Sequence, residues 1–187
     1  MSTATATTSS TSTKTLWAID PAHSEITFKV KHLMIANVKG AFKTFSAQIE
    51  TPGTDFTKAG IAVEIDAASI FTNEENRDNH LRSADFFDVE KHPTLGFVGK
   101  EMRAKGDDHT LTGELTIKGI THPVTLDVEF GGISKDPWGN EKAGFTVSGR
   151  INRKDWGLNW NAALETGGVL VSDEVRLSAD IQLVKQS

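Results

Sequence analysis

Apolar and polar positions alternate along most of this chain. In "EITFKVKH", Ile26, Phe28, Val30 and His32 share one face, while Thr27, Lys29 and Lys31 take the other. The same period aligns Ile61, Val63 and Ile65; Leu111, Gly113, Leu115 and Ile117; and Val124, Leu126, Val128 and Phe130. Further on it aligns Phe145, Val147, Gly149 and Ile151, then Val175, Leu177, Ala179, Ile181 and Leu183. Residues two apart point to the same side of a strand, so each run predicts a strand with one buried and one wet face. With "LWAI", "FKTFSAQIE" and "LGFVGKEM" the count is roughly eight to ten strands. One-sided burial is the antiparallel pattern, and "TPGTD", "AKGDD" and "GGISKDPWGN" supply turn chemistry between the runs. Repeated helical patterns between strands are missing, which argues against a parallel α/β sheet. The expected class is therefore all-β and antiparallel, with a two-sheet sandwich and a closed barrel both compatible with the alternation.

One segment breaks the period. "TNEENRDNHLRSADFF", residues 72–87, predicts a short helix over residues 73–83. Thr72 with Glu75 forms a capping-box pair, Arg77 and Leu81 lie one turn apart, and Asp78 and Arg82 are spaced for an i,i+4 ion pair. The adjacent Phe86 and Phe87 follow. A helix with a thin apolar edge leading into two phenylalanines suits the cap of a barrel mouth.

Composition narrows the possible partners. A chain of 187 residues, 37% apolar and 24% charged, is one globular domain by length and balance. Its net charge of −5 argues against duplex DNA or an anionic membrane as the main partner, since phosphate binding needs a clustered basic face. Lys29, Lys31, Lys39 and Lys43 accordingly read as solubility charge on the wet faces. The absence of cysteine excludes disulfides and thiolate chemistry. No apolar run approaches the roughly 18 residues of a membrane-spanning helix. The Ser/Thr/Ala-rich residues 1–14 are expected to form a flexible tail ahead of a domain over residues 15–187. This start has neither the basic opening nor the apolar run of a secretory signal, so a cytoplasmic location is expected, or a periplasmic one if a signal has been removed.

Candidate chemistry is sparse. His23, His32, His80, His92, His109 and His122 show none of the close spacings of metal-ligand motifs, and neither a metal nor a cofactor is expected. Ser24 adjoins His23, but strand neighbours point to opposite faces and cannot act as nucleophile and base. The Gly-rich phosphate loops and the nucleophile-elbow motif are absent from the sequence. The inward faces are apolar instead. Candidate cavity-lining residues are Phe28, Val30, Phe42, Phe45, Ile65, Phe97, Leu115, Val128, Phe145 and Leu177, with Leu81, Phe86 and Phe87 from the capping segment. His32 shares the inward face, either as a satisfied core histidine or as a polar contact for a ligand head. Arg77, His80 and Arg82 are either helix-surface charges or, at a barrel mouth, head-group contacts.

Five stretches carry a family resemblance: "WAIDPAHSEITFKVKH", "RDNHLRSADFFDVEKHPTLGF", "LTGELTIKGITHPVTLDV", "DWGL" and "SDEVRL". In this order they resemble the YceI-like family over roughly residues 15–185. The resemblance implies a lipocalin-like antiparallel barrel with a helix at its opening. It also implies binding of a long amphipathic lipid, such as a polyisoprenoid or an isoprenoid quinone, and often a homodimer. Many family members are exported to the periplasm, and this chain departs from them in showing no signal sequence.

Three functions then compete. The favoured one is noncatalytic carriage, storage or sensing of a long-chain lipid, because no catalytic constellation assembles from the spacing. The alternatives are a lipid-modifying enzyme with His32 or His80 as general base, and a stress-response interaction module whose core is filled. No nucleic acid and no membrane insertion are expected.

Overall fold

The computed structural model describes residues 13–187 of the chain. It contains eleven strands in one antiparallel sheet. They are β1 (Lys14–Ile19), β2 (Glu25–His32), β3 (Ala36–Phe42), β4 (Phe45–Pro52), β5 (Gly60–Asp66), β6 (Ile70–Phe71), β7 (Thr94–Lys105), β8 (Asp108–Ile117), β9 (Ile120–Lys135), β10 (Glu141–Asn152) and β11 (Val171–Lys185). One helix, α1 (Glu75–Arg82), follows β6. β1 and β2 both pair with β11, one after the other along its length, so they form one bent stave. β3 with β4 and β5 with β6 are staves of the same kind. Pairing of β1 with β11 closes the sheet, and the result is an eight-stranded antiparallel barrel. Closure removes the sandwich alternative and leaves few sheet edges to protect.

The bends explain where the periodic reading slipped. "FKTFSAQIE" is two strands, because the chain turns at Lys43–Thr44 between β3 and β4. Lys14 lies inside β1, opposite Pro52 and ion-paired with Glu50, so the barrel starts at residue 14, one residue before the expected domain boundary. Residues 1–12 of that tail lie outside the described residues.

The β1–β2 bend is fixed by Asp20. Its carboxylate caps a 3-10 turn through Ala22 N–H and accepts from His23, Lys142 and Gln182. Burial alone would raise its pKa, but the donors outweigh burial and hold it down to about 2. A depressed carboxylate contributes stability above its unfolded pKa of about 3.9 and loses it as pH falls through the folded value. Asp20→Asn should therefore cost on the order of 1 kcal/mol at neutral pH after solvent screening. In urea titrations the gap between variant and wild type should close between about pH 4 and pH 2. A gap that stays constant across that range would show that the carboxylate charge is not what fixes the bend.

Buried side chains gather in two clusters inside the barrel. One, at the end where β1, β4 and β11 meet, holds Trp17, Ile49, Phe56, Ala143 and Leu183. The other includes Phe42, Ile65, Ile70, Phe86, Leu95, Leu115, Trp156 and Leu158, with Leu81 and Phe87 packed on it from α1 and the segment after it. The helix therefore closes the end at which β2, β8 and β10 finish.

Candidate functional site: an apolar cavity with a polar mouth

Between the clusters the barrel is hollow, with a cavity of about 600 Å³. Ligand sites of this kind run to about 300–1,000 Å³. Its wall includes Phe28, Val30, Phe42, Ile65, Phe97, Leu115, Val128, Phe145 and Leu177, as the inward parity predicted. Leu81, Phe86 and Phe87 close it from the helix side. Phe45 does not reach the cavity, because it sits at the start of β4 beside the bend and packs into the surrounding core. Phe130 shares the inward parity of β9 but lies half exposed at the far rim, stacked on Phe145 at 5.0 Å between ring centroids.

Inward glycines help keep the space open. Phe28 lies across Gly40 and Phe97 beside Gly113, so that a Cβ at either glycine would fall 2.2 or 2.4 Å from ring atoms. Rings laid over cross-strand glycines line the wall and leave the interior unfilled.

Polar groups gather at one end. His32, Arg77 and His80 line the mouth. Nε2 of His80 lies 2.9 Å from Asp85 Oδ2, and its ring meets Phe86 and Trp160 edge-on at 5.1 and 4.8 Å. Arg77 donates through Nε to Thr72 Oγ1 (2.7 Å) and through Nη2 to Thr72 O (2.8 Å). A guanidinium carries five N–H donors, so further donors remain for a ligand. Arg82 is turned away from the cavity: its Nε and Nη2 hold Ala68 O and Ile70 O, and Nη1 donates to Asn79 Oδ1. It fastens α1 to the barrel rather than facing the mouth.

Local chemistry at the helix also differs from expectation. The cap is Glu74, whose carboxylate accepts from Asn76 N–H and Arg77 N–H, and the helix runs over Glu75–Arg82 only. Thr72 turns to a different partner, since its N–H and hydroxyl both donate to Asp78 Oδ1. Asp78 is buried and pinned there, so it forms no ion pair with Arg82. The Thr72–Asp78–Arg77 chain ties α1 to the segment that follows β6.

Arg153 was not anticipated. It is only 3% exposed, donates to the carbonyls of Ser172, Leu158, Trp160 and Val171, and lines the cavity below the mouth. Burial pushes its guanidinium down from the ordinary value, and Asp173 nearby pulls it back up. It continues the inward parity of Ile151 on β10, and that was the signal the sequence carried. Among the described residues, no three His, Asp or Glu side chains converge on a point where a metal ion could sit.

A family model described as "YceI-like domain" matches residues 17–183. The chain belongs to the YceI-like family. It is 46% identical over 169 residues to a UPF0312 protein of Staphylococcus epidermidis, covering 90% of this chain and 96% of the relative. Among solved structures it is similar to Burkholderia cenocepacia BcnA, with a TM-score of 0.75 and 25% identity over 88% of this chain and 98% of the other. It also shares its fold with a polyisoprenoid binding domain from Saccharophagus degradans implicated in plant cell wall breakdown. There the TM-score is 0.66 and the identity 16%, over 91% of this chain and 98% of the other.

Proposed function

We propose that this family member binds one long apolar chain of polyisoprenoid type noncatalytically in the barrel, with the polar head held at the mouth. The observation that carries this is the cavity: a partly open hollow with an almost wholly apolar wall, and His32, Arg77 and His80 among its few polar lining residues. Each methylene moved from water into such a wall contributes about 0.8 kcal/mol, and a preformed barrel limits the ordering cost that binding must offset. The Saccharophagus degradans domain of the same fold, described as binding polyisoprenoids, supports the ligand class. An open cavity argues against the filled-core module. Against the enzyme, among the described residues no Ser, Thr or Lys side chain hydrogen-bonds the ring of His80, whose polar partner is Asp85.

Native mass spectrometry of protein from its own host, followed by organic extraction, tests this directly. A stoichiometric, chemically intact long-chain lipid is expected. A clean apo mass, with no uptake of added prenyl lipids, would overturn it. Phe87 packs edge-on against Phe42 at 5.9 Å on the cavity wall. Phe87→Asp puts a charge against that wall and should lower affinity for a prenyl alcohol at least ~10-fold, given the cost of burying charge beside an apolar chain. Unchanged affinity in a folded variant would show that the segment after α1 does not close the site.

A further inference from the structure

The outer face of the barrel beside the mouth carries an arrangement that the cavity does not explain. Across four neighbouring strands, Arg150 on β10 stands directly opposite Arg176 on β11, Arg176 opposite Lys29 on β2, and Lys29 opposite Lys39 on β3. Like charges directly opposite in a sheet destabilise it. Glu174 lies 3.8 Å from Arg150 and 3.6 Å from Arg176. Among the described residues, no carboxylate lies within ion-pair distance of Lys29, Lys31 or Lys39. In a chain of net charge −5 this is a local concentration of positive charge held against its own repulsion.

The tip of the same β2–β3 hairpin is apolar and exposed. Leu33, Met34 and Ile35 are 38%, 51% and 86% accessible, with Leu33 and Met34 in left-handed backbone. Leu33 N–H donates to Leu170 O, which ties this finger to the loop leading into β11, where Val169 is also exposed. His32 and Leu170, at the base of the finger, both line the cavity. The finger therefore projects beside the mouth, and Lys29 lies about 10 Å below its base at a strand rise of ~3.3 Å per residue.

We propose that this hairpin docks the barrel on an anionic lipid surface, with Leu33, Met34 and Ile35 entering the acyl boundary and the Lys29–Lys39–Arg176–Arg150 row meeting lipid phosphates. Apolar residues entering the interface beside a band of basic ones are the composition of a peripheral membrane contact. A phosphate-bearing polymer would engage the cations and leave the finger unused. Docking in this pose sets the mouth against the lipid, and it stands whether or not the cavity takes a polyisoprenoid.

Co-sedimentation of the full chain with vesicles tests it, using phosphatidylcholine alone and phosphatidylcholine mixed with phosphatidylglycerol. The wild type should bind the mixed vesicles at low salt, release from them at about 0.5 M salt, and bind phosphatidylcholine weakly. Each basic residue near an anionic surface is worth roughly a fivefold factor, so Lys29→Gln with Lys39→Gln should lower partitioning about 25-fold. The same double variant should melt no lower than the wild type, because it relieves a repulsive row. Ile35→Ser should lower partitioning as well, and uptake of the apolar dye N-phenyl-1-naphthylamine into the cavity should be unchanged in both. Failure of the wild type to bind, or equal binding by all variants, overturns the proposal. So does a dimer dispersed by Ile35→Ser with no vesicle binding, which would make a second copy the occupant of the finger.

Discussion

Ala179→Trp should abolish uptake of a long apolar chain while leaving the barrel at least as stable as the wild type. Ala179 lies on the inner face of β11, opposite Val147 on β10 and Ile26 on β2, and all three line the cavity. In a close-packed core an added indole would force neighbours off their rotamers at about 1–3 kcal/mol. Here it meets empty space and gains contacts that a void lacks, so a stabilisation of about 0.5–2 kcal/mol is expected. A ligand then loses both the volume and the apolar wall, and affinity for a prenyl chain or for N-phenyl-1-naphthylamine should fall on the order of 100-fold, the factor that ~3 kcal/mol of lost burial implies. Thermal melting and dye titration on one preparation separate the two effects. A variant that melts normally and still takes up the dye would mean that the ligand site is not this cavity.

The wall of that cavity was largely legible in the sequence because strand parity is a local property. Once the apolar face of a strand is assigned inward, as with Phe28 and Val30, the other inward positions of that strand follow from the period of two up to any bulge. Phe45 and Phe130 fall outside the rule for a positional reason: parity sets direction, while distance from a bend or a rim decides whether an inward residue reaches the void. The polar mouth was much less legible. Arg82 and Arg77 carry the same charge five residues apart on one short helix, yet one fastens the helix to backbone carbonyls and the other lines the cavity. Nothing in α1 itself distinguishes them, since the carbonyl partners of both lie before the helix begins, at Ala68 and Ile70 for Arg82 and at Thr72 for Arg77. The capping box failed similarly. Thr72 had a better acceptor in buried Asp78, and Glu74 was left to cap the helix. The basic row on the outer face was invisible strand by strand, because Arg150, Arg176, Lys29 and Lys39 meet only through the registers of three strand pairs.

Arg153→Met should cost about 3–5 kcal/mol of stability and loosen the loop between residues 157 and 171. Replacing a buried ion pair with apolar residues is often close to neutral, because both charges are removed together. Arg153 lies 3.8 Å from Asp173, but its hydrogen bonds go to the carbonyl oxygens of Ser172, Leu158, Trp160 and Val171, and a backbone carbonyl cannot be exchanged for a methyl group. Methionine keeps much of the volume but supplies no donors, so several acceptors are left unpaired, each costing about 1–3 kcal/mol where water cannot reach. Relaxation of the loop toward water recovers part of that cost, which is why the total stays below the simple multiple. The sum remains a large share of the roughly 5–15 kcal/mol that holds a domain of this kind together. Arg150→Met is the matched control three residues away: it removes an exposed member of a repulsive row, and its effect should stay within about 0.5 kcal/mol. Urea unfolding of both variants measures the difference, and limited proteolysis should cut Arg153→Met first between residues 157 and 171. Because Trp160 from this loop packs against His80 and Phe86 at the mouth, dye uptake should weaken in Arg153→Met even at temperatures where the barrel stays folded. Equal stability of the two variants would mean that the loop carbonyls find other donors or water. The mouth would then be set by the aromatic contacts alone.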